Sequence, residues 1–203
     1  MFFIFLLFLS VSYCQADSEF KLQESFTDKW DNNCISKTDC FYSAFISTDD
    51  DINDLYYILY YSHGNENWQA IDSIDPSGFY NSTLYSFQNE ITNSYIVLWK
   101  YESEYNPFFY TYYINEGKIL KIGEWGISVL AIEYYCEYCD YSIEDIRIHQ
   151  KDDEIEFSFL KNMDFLNFSE DRYRDDWTWT SYQAGDLILS FNIIDGTLKR
   201  IER

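Results

Sequence analysis

Between Ser94 and Ile122 the chain reads SYIVLWKYESEYNPFFYTYYINEGKILKI, a stretch that leaves few folds open. Tyr95, Val97, Trp99 and Tyr101 recur at every second residue, and Lys100, Glu102 and Glu104 fall on the opposite face. A period of two with one apolar face is the pattern of a half-buried strand. Phe108, Tyr110, Tyr112 and Ile114 then alternate with Phe109, Thr111 and Tyr113, all residue types that pack well on a pleated surface. Pro107 stands at the start of this second strand, where its missing N–H costs least. Asn115-Glu116-Gly117 turns the chain, with Gly117 free to take a positive φ, and the following residues return as a third strand.

The same signals recur on both sides. Phe41 to Ile46, Leu55 to Tyr61, Trp68 to Ile74 and Phe79 to Phe87 read as strands, separated by turns at Thr48 to Asp54, His63-Gly64-Asn65 and Asp75-Pro76-Ser77-Gly78. Further on, Ile146 and Ile148 precede a turn at Gln150-Lys151-Asp152-Asp153, after which Ile155, Phe157 and Phe159 alternate with polar residues. Leu187, Leu189, Phe191 and Ile193 form a late strand that Asp195-Gly196 turns back through Leu198 to Ile201. The segment from Gly126 to Tyr135 reads as a strand or a short helix, and Asn162 to Trp177 as a polar loop or short helix. Ile114 to Ile122 and Ile193 to Ile201 echo one another, but two copies do not make a repeat architecture. Near the start, Leu22, Phe26 and Trp30 stand at i, i+4 and i+8 among charges, which predicts a short amphipathic helix. The expected fold is mostly β: an antiparallel meander, sandwich or barrel, with that short N-terminal helix.

Met1 to Val11 is apolar, uncharged and too short to cross a bilayer, and Cys14-Gln15-Ala16 supplies small residues for cleavage before Asp17. Residues 1–16 are therefore expected to be a signal peptide, and residues 17–203 a single β-rich domain, since no linker-like stretch divides them. Cleavage before Cys14 would instead leave a lipid-anchored cysteine, a course that Tyr13 disfavours. No later segment is apolar enough to span a membrane. An exported (secreted or periplasmic) protein makes its cysteines candidates for disulfides. Four remain after cleavage, Cys34, Cys40, Cys136 and Cys139, and near-neighbour pairing is the simplest of three connectivities.

Chemistry-bearing motifs are scarce. Cys136-Glu137-Tyr138-Cys139 has redox spacing, but Glu133, Glu137 and Asp140 oppose a thiolate, so a structural disulfide is expected. Asp49, Asp51 and Asn53 offer oxygen ligands to Ca²⁺, yet the stretch lacks the Gly and distal Glu of an EF-hand loop and reads as a solvated turn. No metal or cofactor is expected. His63 and His149 lie beside turns without a catalytic motif, and the reading leans away from an enzyme.

The charge is the remaining clue. Thirty-five Asp and Glu against 14 Lys and Arg give a formal charge of −21, which disfavours nucleic acid and anionic membranes as partners. Aromatic residues make up 21% of the chain, too many for a disordered acidic segment. Trp177, Trp179 and Tyr182 beside Asp175 and Asp176, together with Asp152 and Asp153, are the candidate partner-binding residues. The expected function is an exported acidic binding protein for a basic secreted protein, of the inhibitor or toxin-neutralising (immunity) kind. The alternatives are a β-barrel or sandwich holding a small or carbohydrate ligand, and then a hydrolase with an unrecognised site.

Overall fold

A computed structural model describes residues 18–27, 33–47, 55–64, 67–74, 79–103, 107–127, 143–167, 178–195 and 197–202. The expected leader lies outside them. Among the described residues a nine-stranded antiparallel sheet forms the body. Its strands are β1 (Ser18–Thr27), β6 (Phe79–Asn89), β7 (Ser94–Ser103), β8 (Pro107–Asn115), β9 (Lys118–Gly126), β10 (Ile146–Lys151), β11 (Glu154–Phe159), β14 (Leu187–Asn192) and β15 (Leu198–Glu202). They are ordered β15-β14-β11-β10-β1-β6-β7-β8-β9. A second sheet is built from β2 (Asn33–Cys34), β3 (Asp39–Ser47), β4 (Leu55–His63) and β5 (Gln69–Ile74), and a hairpin from β12 (Met163–Asn167) and β13 (Thr178–Tyr182). A single turn of 3-10 helix, Ile143–Asp145, leads into β10.

The long sheet curls into a nearly closed barrel. β9 at one end comes round to β14, where Gly123 lies against the ring of Phe191, and Ile127 bridges to Phe165 of β12. Inward-facing side chains fill the barrel. Trp125 is its centre, with ring centroids 4.1 Å from Phe109, 5.6 Å from Phe159 and 6.1 Å from Phe165. Its indole N–H donates to Thr111 Oγ1 at 3.1 Å, so the buried donor is satisfied. Phe157, Phe191, Ile96, Leu98, Ile148 and Leu189 complete this core.

The second sheet packs on the outside of β6, β7 and β8. Phe41, Leu59, Tyr61 and Ile74 face Leu84, Tyr95, Val97, Trp99, Tyr110 and Tyr112. The half-buried strand expected at 94–101 is therefore buried on both faces: Trp99 and Val97 under the outer sheet, Ile96 and Leu98 inside the barrel. β8 is buried from Pro107 to Ile114 for the same reason, and its two alternating rows divide between the two cores. Polar pins cross the joint: Asp72 of β5 accepts from the hydroxyl of Tyr112 at 2.7 Å and the ammonium of Lys121 at 2.5 Å. Within the barrel sheet, beneath the joint, Trp99 Nε1 donates to Ser82 Oγ at 2.7 Å.

Two local expectations are corrected. Among the described residues the expected N-terminal helix is absent: Ser18–Thr27 is a strand held by β10 on one side and β6 on the other. Ser18 and Phe20 are buried while Glu19 and Lys21 are exposed, a period of two that competes with the i, i+4 spacing of Leu22 and Phe26. A bulge between Leu22 and Glu24 shifts the register partway along, which blurs the alternation. The polar loop expected from Asn162 begins instead as strand β12, its ladder to β13 running from Met163 with Tyr182 to Asn167 with Thr178.

Candidate functional site

The register places four turns at one end of the barrel. They join β6 to β7, β8 to β9, β10 to β11 and β14 to β15. Ser18 belongs to the same rim, accepting at Oγ from Asn89 Nδ2 at 2.6 Å, and Ile193 N–H donates to Asp153 O at 2.8 Å across two of the turns. Glu90, Glu116, Asp152, Asp153 and Asp195 are exposed on this rim, with Lys118 and Lys151 among them. Ile91 and Ile194 stand out from it at 75% and 74% exposure.

Beside this rim, where the outer sheet meets the β8–β9 turn, lies a cleft of about 540 Å³. Its wall is the loop closed by the Cys34–Cys40 disulfide, which carries Ser36, Lys37, Thr38 and Asp39. Opposite stand Asn93, Glu116 and Gly117, and Tyr95 and Ile114, cross-strand partners of β7 and β8, form its apolar part.

Asp39 anchors the arrangement. Its buried carboxylate accepts from the Tyr61 hydroxyl at 2.5 Å and from His63 Nδ1 at 2.9 Å on one oxygen, and from the Ser36 and Thr38 hydroxyls at 2.7 and 3.1 Å on the other. Burial alone raises the pKa of such a group, but these four donors outweigh it and hold Asp39 below the ordinary carboxylate value. An ionised carboxylate only accepts, so His63 presents Nδ1–H to it and keeps Nε2 for other partners. The imidazole lies flat against Gly117, whose φ of 74° puts its bare Cα where a Cβ would come within 2.8 Å of three ring atoms. Tyr61 also reaches Gly117 O at 3.2 Å, so the turn of the barrel and the outer sheet are clamped together here.

The groups do not make a serine hydrolase relay, because Ser36 Oγ is bonded to the carboxylate and not to the imidazole. What they make is a rigid, desolvated carboxylate that fixes the orientation of one imidazole at the mouth of a polar cleft. Among the described residues no cluster of His, Cys, Asp and Glu is arranged to hold a metal ion, and no helix is long and apolar enough to cross a membrane.

The residues singled out from sequence are scattered by the fold. Cys34 and Cys40 are bonded to each other. Asp152 and Asp153 lie on the rim just described, whereas Tyr182 and the backbone of Trp179 belong to the β12–β13 hairpin at the other end of the barrel. Cys136, Cys139, Asp49, Asp51, Asn53, Asp175, Asp176 and Trp177 lie outside the described residues. The Asp39–His63 pair was not anticipated. The antiparallel pairing of β3 with β4 sets the two opposite one another, and the acidic turn expected in the sequence between those strands was the signal available to find it. Compared with family models, curated proteins and solved structures, the chain matches none of them, so any reading of its function rests on its own geometry.

Proposed function

We propose that the chain is an exported acidic binding protein, that its partner is a basic secreted protein, and that the turn-bearing rim of the barrel is where the partner docks. This is the activity of an inhibitor or toxin-neutralising protein. The observation that carries the reading is the composition of the rim: Ile91 and Ile194 project from a border of exposed carboxylates. Isolated exposed apolar residues are ordinary, but two on the same rim, with the β10–β11 turn and its Asp152 and Asp153 between them and Glu90 and Asp195 next to them, give a partner both apolar anchors and complementary charge. A packed barrel supports the same reading, because Trp125 and its neighbours occupy the space where a carrier would hold its cargo. The expected export agrees with a disulfide in the outer sheet.

The test is capture of secreted proteins by the immobilised mature chain, with the partner identified by mass spectrometry and its binding then measured with the purified pair. Ile91→Ser with Ile194→Ser is expected to speed dissociation at least tenfold, about 1.4 kcal/mol. A partner that is acidic, or one indifferent to the double variant, would refute docking at the rim.

A further inference from the structure

Docking at the rim leaves the interior of the neighbouring cleft without a role. We propose that this cleft, between Lys37, His63, Asn93 and Glu116, is a binding site for a neutral polyhydroxylated ligand, a sugar ring. Its volume of about 540 Å³ falls in the range of small-molecule sites. The donors that surround Asp39 are spent on its carboxylate, so a ligand does not meet that charge directly. It meets the groups left over: Nε2 of an imidazole already oriented through Nδ1, the Lys37 ammonium, the N–H groups of the Asn93 amide, whose oxygen accepts from Gln88 Nε2 at 3.5 Å, and the Glu116 carboxylate.

These are donors and acceptors in mixture, which is what a ring of neighbouring hydroxyls requires, since each hydroxyl both gives and takes. Tyr95 and Ile114 add an apolar surface for the C–H face of such a ring. Charge selects among polar ligands. An anion must approach a molecule of net charge −21 and then lie beside Glu116, while a cation, though that field draws it in, must lose water beside the Lys37 ammonium. A neutral ligand avoids both costs. Preorganisation favours binding as well: the disulfide closes the loop that carries Lys37, and Gly117 packs on the His63 ring, so little ordering remains to be done when a ligand enters.

The experiment is an NMR titration of the mature chain, with no protein partner present. The probes are D-glucose, D-galactose, D-mannose and N-acetyl-D-glucosamine, with D-glucuronate and D-glucosamine as charged counterparts. At least one neutral sugar is expected to shift the His63 imidazole and the Asn93 amide saturably, and to bind more tightly than its charged counterpart. Lys37→Ala and Asn93→Gly are each expected to weaken that binding about tenfold. Both positions are exposed, and glycine keeps the positive φ of 51° at residue 93, so both variants are expected to fold. Absence of any saturable shift up to about 100 mM, a hundredfold above the millimolar affinity of a weak site, overturns the proposal. So does tighter binding of the glucuronate or glucosamine, or binding that ignores both substitutions. Because the titration contains only chain and sugar, its failure leaves docking at the rim standing, and failure of the docking leaves this site standing.

Discussion

Burial by itself raises the pKa of a carboxyl group, and Asp39 runs against that because Tyr61, Ser36, His63 and Thr38 all donate to it. A group whose folded pKa lies below its unfolded value of 3.8 contributes stability that is complete above that value and is lost as pH falls through the folded one. Chemical denaturation from pH 6 down to pH 2 is therefore expected to show a loss of stability below about pH 4, a part of which Asp39→Asn removes. The same variant should cost about 1–3 kcal/mol at neutral pH, since the donors around it lose a charged acceptor. A pH profile identical to that of the unmodified chain would show the carboxylate to be unimportant. Gly117 can be tested independently. With φ at 74° and the His63 ring where a Cβ would go, Gly117→Ala is expected to cost about 1–2 kcal/mol from the left-handed backbone, and more from the displaced imidazole. None of this geometry was legible as a motif. Asp39 and His63 are 24 residues apart, and only the pairing of two strands brings them together. Trp99 was legible, because its alternation with Tyr95, Val97 and Tyr101 already marked a buried face. Trp99→Ala should cost about 3–5 kcal/mol, read as a lowered melting temperature.

At the level of elements, the meander from Ser94 to Ile122 was plain in the sequence because period-two patterns and an Asn-Glu-Gly turn act locally. What was hidden depends on neighbours far along the chain. Nothing local says that β7 and β8 are covered twice, since the second cover comes from strands that end twenty or more residues earlier. Ser18–Thr27 carries both a helical and an extended signal, and it is resolved by two waiting strand edges that only a strand can satisfy. The echo between Ile114–Ile122 and Ile193–Ile201 also fails to carry into structure. Asn115 pairs with Lys118 around the two-residue turn Glu116-Gly117, whereas Phe191 pairs with Leu198 across a longer connection. Closure of the barrel gives an element-scale prediction. A Cβ at Gly123 would lie 2.1 Å from the Phe191 ring, which is fully buried and has no free side to move into. Gly123→Ala is expected to cost about 1–3 kcal/mol, and Phe191→Leu in the same chain to recover part of that loss. A double variant whose cost is the sum of the two singles would mean that β9 and β14 do not press together as described.

For the whole molecule the dominant quantity is the net charge of −21, which acts at distances where no single contact does. A field of this kind steers an oppositely charged protein and raises the rate of encounter, while the strength of the final complex depends on the groups that lose water. Under the docking proposed here, these two tasks fall to different residues of one rim. Asp152 and Asp153 are exposed, so their share is long-range and open to screening, whereas Ile91 and Ile194 act only on contact. Association with the basic partner is accordingly expected to slow steeply as salt rises, because exposed charges are screened beyond ~10 Å at 0.1 M, while dissociation changes little. Asp152→Asn with Asp153→Asn should reproduce part of the salt effect at low ionic strength and add almost nothing at high. The isoleucine variants should do the reverse, leaving association near normal and shortening the life of the complex. Stopped-flow association and surface-immobilised dissociation rates, measured for the same set of variants across a salt series, separate the two contributions. An association rate independent of salt would mean that the charge keeps the molecule soluble and takes no part in finding its partner.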